Sequence, residues 1–354
     1  MKKCKEIFFI GEKPYKKNDA GNKARLDIDN ILRLLNYHQV ENIEEKRFKS
    51  QIDKLLYILT YTNLKKFYHM LKVKDKYIFM QYPFYFDFVT RRVLNKVLIQ
   101  NKSILFIHDA DALRNFNGKN IEDEINLLNK SYMLIVHNDK MMQALKNNGI
   151  KTKIVVLELF DYLLNKEYPN RHYELDKSVA FAGNLAKSEF LQKEEIKDLN
   201  IKFNLYGPNF NSKNIKGKNI KYNGSYGPEI IPYEIKGSFG LIWDGISLNE
   251  CAGSFGNYLK VNNPHKLSLY IAAGVPVITW KKAAIADFIT KYDIGFTVDS
   301  LYDIEKIIND MDNKQYETYV QNVKKLQEKV CTGYFTRRAL DEVEKLLEFN
   351  RQKV

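Results

Sequence analysis

Cysteine is scarce. Three residues, Cys4, Cys251 and Cys331, are spread over 354 positions, an odd set with neither CxxC nor Cys/His ligand spacing, which supports neither a disulfide framework nor a zinc site. The compartment this implies is a reducing cytoplasm. Long apolar runs are missing too. No stretch reaches the ~18 consecutive apolar residues of a membrane-spanning helix. The basic start MKKCKEIFFI has only four apolar residues in a row, Ile7 to Ile10, short of the roughly 7–15 of a signal-peptide core, and reads as a first strand. No internal repeat or low-complexity tract stands out.

Acidic residues are outnumbered, 43 Asp plus Glu against 56 Lys plus Arg, for a formal net charge of +13. The lysines are dispersed rather than gathered into a stripe, the pattern of a solvated surface and not of a nucleic-acid footprint. The excess still favours anionic ligands such as nucleotide phosphates, or an anionic membrane face. What is present is a globular composition, 45% hydrophobic and 13% aromatic. The length exceeds the ~250–300 residues at which single cores stop growing, so two domains are expected.

Short apolar runs alternate with amphipathic stretches along the chain. Strands are expected at 6–10, 77–80, 103–107, 133–136 and 154–157, and helices at 23–36, 51–70, 85–98, 121–128 and 139–147. This is the signature of a parallel sheet covered by helices. The polar stretch NKEYPNRHYELDK (165–177) reads as a linker, after which the pattern begins again. Strands are expected at 179–182, 201–206, 240–243, 275–279 and 295–298, with helices near 188–198, 228–236, 265–273, 283–291 and 301–311. Two further helices, 316–330 and 336–349, are separated by Thr332-Gly333-Tyr334, a helix stop. The class is α/β, with two similar units in tandem.

The most informative run is YLKVNNPHKLSLYIAAGVPVI, Tyr258 to Ile278. Its polar beginning surrounds Pro264, suited to a helix start. A helix N-terminus at the crevice of an α/β sheet binds phosphate through free backbone N–H groups, and Lys266 adds charge. A second cradle of this kind is FAGNLAKSEF, where Gly183-Asn184 ends a strand and Lys187 falls in the opening turn of an expected helix. In NLYGPN, Tyr206 ends a strand and stacks a base or simply fills the core. Tyr226, Trp243, Asp244 and Tyr258 are further candidates for sugar contacts.

In the first half, SILFIHDADALR puts His108, Asp109 and Asp111 at a strand end, as a general base or as a helix-capping turn. Asp109-Ala110-Asp111 also spells a metal-binding DxD pattern, but two carboxylates alone make a poor cage for Mg²⁺, and no metal is expected. Asn18, Gly21 and Asn22, with Lys23 opening a helix, are expected to touch substrate, Lys23 by neutralising a leaving group. The aromatic run Tyr82 to Phe88 reads as an apolar helix face, with peripheral membrane contact as the minor reading.

The strings FAGNLAKS, LYGPN, YNGSYGPEIIP, GLIWDG, SFGNYLKVNNPHKLSLYIAAGVPVI and KKAAIADFI, in this order, resemble the C-terminal half of bacterial GT-B glycosyltransferases. The resemblance is closest to the glucosyltransferase 3-type group. That group contains the glucosyltransferase that extends N-acetylglucosamine on serine-rich-repeat adhesins, and the O-antigen β-1,6-galactofuranosyltransferases. NDAGNKARLDIDNIL, QYP and HDADALR extend the resemblance over nearly the whole chain.

The resemblance implies two Rossmann-like domains facing a cleft. Residues 1–165 would be the acceptor side, 166–333 the UDP-sugar-binding domain, and 334–354 a helix returning to the first domain. It implies that a UDP-hexose binds with Gly183, Asn184 and Lys187 by the diphosphate, Tyr206 and Gly207 by the uracil, and Asn263, Lys266 and Ser268 by ribose and phosphates. UDP-sugar is a donor substrate here and no cofactor is implied. The acceptor is a sugar hydroxyl on a glycan or glycoprotein, such as one ending in N-acetylglucosamine, and a homo-oligomer is implied. One departure bears on mechanism. Two glutamates eight residues apart, common in retaining relatives, would fall at Val261 and Leu269, so inversion is expected, with Asp109 or His108 as base. An epimerase, a non-catalytic glycosyltransferase-like subunit and, last, a nucleic-acid binder are the competing readings.

Overall fold

A computed structural model describes residues 7–13, 20–44, 50–114, 118 and 120–351. In chain order the elements are β1 (Ile7–Lys13), α1 (Ala20–Leu34), β2 (His38–Glu44), α2 (Gln51–Ile58), α3 (Tyr61–Lys72), β3 (Tyr77–Tyr82), α4 (Phe88–Gln100), β4 (Lys102–Ile107), α5 (Ile121–Leu128), β5 (Met133–Val136), α6 (Asp139–Asn147) and β6 (Lys153–Val156). Then follow β7 (Ser178–Ala182), β8 (Lys202–Tyr206), β9 (Ile220–Tyr222), α7 (Ile231–Glu234), β10 (Phe239–Ile242), α8 (Gly253–Tyr258), α9 (His265–Ala272), β11 (Val277–Trp280), α10 (Ala286–Tyr292), β12 (Gly295–Val298), α11 (Asp303–Asp310), α12 (Asn313–Thr332) and α13 (Tyr334–Arg351).

Two compact units result. One contains β1–β6 and, from Phe335 onward, α13; the other runs from Leu159 to Tyr334. In the first unit a six-stranded sheet has the order β2-β1-β3-β4-β5-β6, all parallel. In the second the order is β12-β11-β10-β7-β8-β9, again all parallel. The inner strands β3, β4, β5, β7, β10 and β11 are buried almost throughout, as continuous apolar runs must be when helices cover both faces of a sheet. Each order reverses direction once, between β1 and β3 in the first unit and between β7 and β10 in the second. Such a switch point opens a crevice at the strands' carboxyl ends.

The edge strands β2 and β9 were not expected from the apolar pattern, because edge positions bury little and HQVENIE is mostly polar. The expected helix 51–70 is two helices, since Thr60 caps α3 by accepting from Asn63 N at 3.4 Å. The expected helix at 188–198 is two short 3₁₀ turns, Glu189–Gln192 and Glu194–Asp198, and that at 228–236 contracts to α7. Gly333 ends α12 at φ 80°, in the left-handed conformation that glycine adopts without strain. Downstream, α13 belongs to the first unit. Arg338 donates to Leu157 O at 2.7 Å and Val156 O at 3.0 Å and pairs with Glu158 at 3.3 Å, and Tyr37 bonds to Glu344. The run Tyr82 to Phe88 is no single helix face: Tyr82 and Phe84 are core, while Tyr85 and Phe88 are exposed. Among the described residues no helix is long and apolar enough to cross a membrane.

Candidate functional site

In the second unit, the loops after β7, β8 and β10 converge at the switch point. Gly207 follows β8 with φ +128°, and a Cβ there would lie 1.9 Å from the carbonyl oxygen of Gly183. Only glycine permits two backbones to approach so closely. Gly183 N donates to Tyr206 O at 3.0 Å and Gly207 N to Gly224 O at 2.9 Å. A Cβ on Gly183 would meet Lys266 Cε at 3.2 Å, so the cradle is open to the lysine because residue 183 has no side chain.

Lys266 enters from the first turn of α9. Its Nζ donates to Asp244 Oδ1 at 2.7 Å and to Trp243 O at 3.4 Å, and lies 4.6 Å from the centroid of the Phe181 ring. Both partners are mostly buried, with 17% and 28% of their side chains exposed, so the ammonium is aimed rather than free to sweep. The position of α9 is set by Tyr270. Its hydroxyl accepts from Ala182 N at 2.9 Å and lies 3.2 Å from the carbonyls of Ala180 and Leu241. Its ring occupies the space above Gly240, where a Cβ would come within 2.3 Å. The helix has no side-chain cap, and Leu267 N in its first turn donates back to Pro264 O at 3.0 Å. Just before it, Asn262 Oδ1 is a buried acceptor without a hydrogen-bond donor, which suits a ligand hydroxyl.

Several expected contacts are corrected here. The turn that follows Lys187 is the four-residue 3₁₀ turn Glu189–Gln192 and not an α-helix, too short to supply the expected helix dipole; Lys187 is exposed, 5.3 Å from the Phe255 ring. Asn184 Oδ1 accepts from Ala186 N at 3.2 Å and Asn209 Nδ2 at 3.0 Å, bracing the turn. Tyr206 is buried and its hydroxyl accepts from Lys236 N at 2.9 Å, so its ring is not open to a base. The exposed ring beside it, 6.4 Å away, is Tyr226. Ser268 is fully buried and donates to Phe160 O at 2.7 Å, an anchor for the backbone rather than a phosphate ligand. Tyr258 and Asn263 are buried as well, as is Trp243, whose Nε1 donates to Ser247 O at 2.9 Å.

In the first unit, polar groups likewise gather where the strand order reverses. Gln81, in the otherwise apolar strand YIFMQY, is buried. Its Nε2 donates to Asp29 Oδ1 at 2.8 Å and to the backbone carbonyl of Arg25 at 3.1 Å, and its Oε1 faces His108 Nε2 at 2.7 Å. A backbone carbonyl only accepts, so the amide nitrogen lies on the Arg25 side and the amide oxygen on the histidine side. His108 therefore carries its proton on Nε2, and Nδ1 is the basic nitrogen.

Asp29 is fully buried on α1, where it also accepts from Glu12 N at 2.8 Å. Burial pushes its carboxyl up to about 7, against the lowering effect of that hydrogen bond and of Arg33. Gly11 makes room for this group, since a Cβ there would come 3.1 Å from Asp29 Oδ2 and 2.4 Å from Asn42.

Asp109 pairs with Arg114 at 3.3 Å, and the same arginine reaches Asp111 at 2.9 Å. Asp111 is fully buried, accepts from the Tyr85 hydroxyl at 2.7 Å, and its N–H donates to Glu124. The Asp109-Ala110-Asp111 string is thus built around an arginine, with Asp111 as an anchor. Lys23 is also corrected: it is buried and paired with Asp27 at 2.8 Å, not presented to a leaving group. Gly21 and Asn22 lie in the first turn of α1, and Asn18 lies outside the described residues. Reasoning from sequence missed Asp29, Gln81 and the hold of Asp244 on Lys266; the one available signal was a glutamine inside a strand of apolar residues.

Two Rossmann-like sheets in one chain, each with polar groups at its switch point, are the GT-B glycosyltransferase fold. The chain is similar to Anabaena HepE in complex with UDP, with a TM-score of 0.60 at 14% identity, over 97% of this chain and 100% of that one. Residues 12–159 match the family described as "Glucosyltransferase 3-like, N-terminal domain" and residues 179–343 its C-terminal domain, so the chain belongs to the glucosyltransferase 3-like family. It is 34% identical to the beta-1,6-galactofuranosyltransferase WbbI of Escherichia coli K12, over 95% of this chain and 98% of that protein. It is 28% identical to Glucosyltransferase 3 of Streptococcus gordonii, over 69% of this chain and 71% of that one.

Proposed function

We propose that the chain transfers a hexose, glucose or galactose in its pyranose or furanose form, from a UDP-sugar to a sugar hydroxyl on a glycan or glycoprotein, with inversion and without a metal. The observation that carries this reading is Lys266, held by Asp244 against the touching turns of Gly183 and Gly207. A diphosphate needs close backbone approach and positive charge. The glycines supply the first, and Lys266, Lys187 and the first N–H groups of α9 the second. These groups oppose the charge that grows on the β-phosphate as the sugar leaves, the part a divalent cation would otherwise play. Tyr226 offers a face to the uracil, with the backbone at Gly207 reading its edge, and Asn262 Oδ1 accepts from a donor hydroxyl.

The first unit supplies the base. The acceptor oxygen forms its bond to the anomeric carbon while the bond to the UDP oxygen breaks, its electron pair leaving with UDP. The acceptor proton goes to His108 Nδ1. Arg114 already opposes the charge of Asp109, which makes the histidine the better proton acceptor of the pair.

The test is UDP release from a panel of UDP-hexoses, including UDP-galactofuranose, with N-acetylglucosamine-terminated acceptors and with EDTA present. Acceptor-dependent release, with an inverted anomeric centre by NMR, is expected, and His108→Ala should lower kcat by about 10²–10⁴ without weakening UDP binding. Turnover without acceptor means epimerisation, release only with added Mg²⁺ removes metal independence, and retained configuration removes the base.

A further inference from the structure

Helix α2 is built inside out. Ile52, Leu55, Leu56 and Leu59 recur at the i, i+3, i+4, i+7 spacing of a face that normally packs on a core, yet they point to solvent, as do Tyr61, Leu64 and Tyr68 along α3. These seven side chains are 47–80% exposed, whereas Ile58, Asn63 and Met70 are the members turned inward. The two helices touch, and α3 packs on β2 and α4, so both exposed stripes belong to one anchored helix pair. Apolar side chains exposed in this number mark a binding surface.

Charge selects the occupant. Between residues 51 and 72 the chain carries Lys54, Lys65, Lys66 and Lys72 against one acid, Asp53. On the α3 wheel Lys65 and Lys72 border the Tyr61, Leu64, Tyr68 stripe, and Lys72 Nζ lies 4.4 Å from the Tyr68 ring centroid. A second copy of the same face would set one group of lysines against another. An anionic bilayer accepts every part of it: leucines and isoleucine below the headgroups, tyrosines at their level, ammonium groups on the phosphates. We propose that the outer face of α2 and α3 docks the chain on an anionic phospholipid surface, lying in the interface without spanning it. The inference stands apart from the transfer reaction, which uses neither helix.

The test is vesicle flotation of the full chain. It should float with phosphatidylglycerol-rich vesicles, not with phosphatidylcholine alone, and be released by salt. Leu55→Glu with Leu56→Glu should abolish flotation. Lys65→Gln with Lys72→Gln should weaken it about 25-fold, about fivefold for each charge removed. These sites are on the surface, so unchanged UDP affinity and melting temperature show an intact fold. Flotation that survives the leucine change overturns the proposal. So does a wild-type chain that never floats but sediments as a dimer, which the leucine change converts to monomer; the face then belongs to a second copy.

Discussion

Replacing Lys266 by Met removes the charge but keeps a stem of similar length over the Phe181 ring, so the effect on UDP is electrostatic. Two opposite unit charges about 4 Å apart attract by about 4 kcal/mol at an effective dielectric constant of 20. Desolvation and competition from Asp244, 2.7 Å away, reduce this toward the roughly 1.5–3 kcal/mol net of a hydrogen bond to a charged group. Lys266→Met should therefore weaken UDP about 10–150-fold. It also leaves the Asp244 carboxylate facing the diphosphate without its counter-ion. Adding Asp244→Asn should remove that repulsion and recover roughly tenfold, a coupling expected of contacting charges. Calorimetric titration with UDP and with uridine reads both effects, and uridine, lacking phosphates, should change by less than about threefold. Equal losses for the two ligands, or unchanged UDP affinity, would refute the placement of the diphosphate on Lys266.

Gly207→Ala should cost about 2–4 kcal/mol, combining a strained backbone with a Cβ against the Gly183 carbonyl; a melting temperature like wild type would show that the turns are not in contact. Asp29→Asn tests the buried carboxyl. Its folded value near 7 lies above the unfolded one near 3.8, so the fold binds its proton more tightly, and stability from this group is full below about pH 4 and falls as pH rises toward 7. The loss approaches about 4 kcal/mol. Wild type minus Asp29→Asn in denaturant titrations should slope down over that window, and parallel curves would contradict it. Gln81→Leu removes the acceptor that sets the His108 tautomer and should lower kcat about 10–100-fold with little change in donor KM, the scale seen for groups that orient a ligand or base. A shifted pH profile should accompany it, and a loss confined to stability would make Gln81 merely structural.

The strands that became β3, β4, β5, β7, β10 and β11 were legible because both faces are buried and each needs an apolar run. β2 and β9 were not, since these two edge strands, HQVENIE and IKY, lack an apolar run, whereas the edge strands β6 and β12 keep a short one. Gly183, Gly207 and Lys266 were singled out from strand ends and a helix start, and the structure brings the three together at one switch point. Tyr206, Ser268 and Lys23 were misplaced for one shared reason. Polar atoms in a chain motif look available until the fold shows which backbone group or carboxylate takes them, here Lys236 N, Phe160 O and Asp27.

By itself the sequence determined the α/β class, the tandem units and the family, because these follow from local periodicity and from contiguous strings of residues. Only tertiary structure decided which groups meet. Asp29 and Gln81 are 52 positions apart, Gln81 and His108 27, and Asp244 and Lys266 22. Nothing in a window of the chain reports such a pairing, which arises when parallel strands stack in an order different from their order in sequence. The same holds for α2: its spacing says that it has an apolar face, and only the packing of α3 on β2 and α4 shows that this face was left outside.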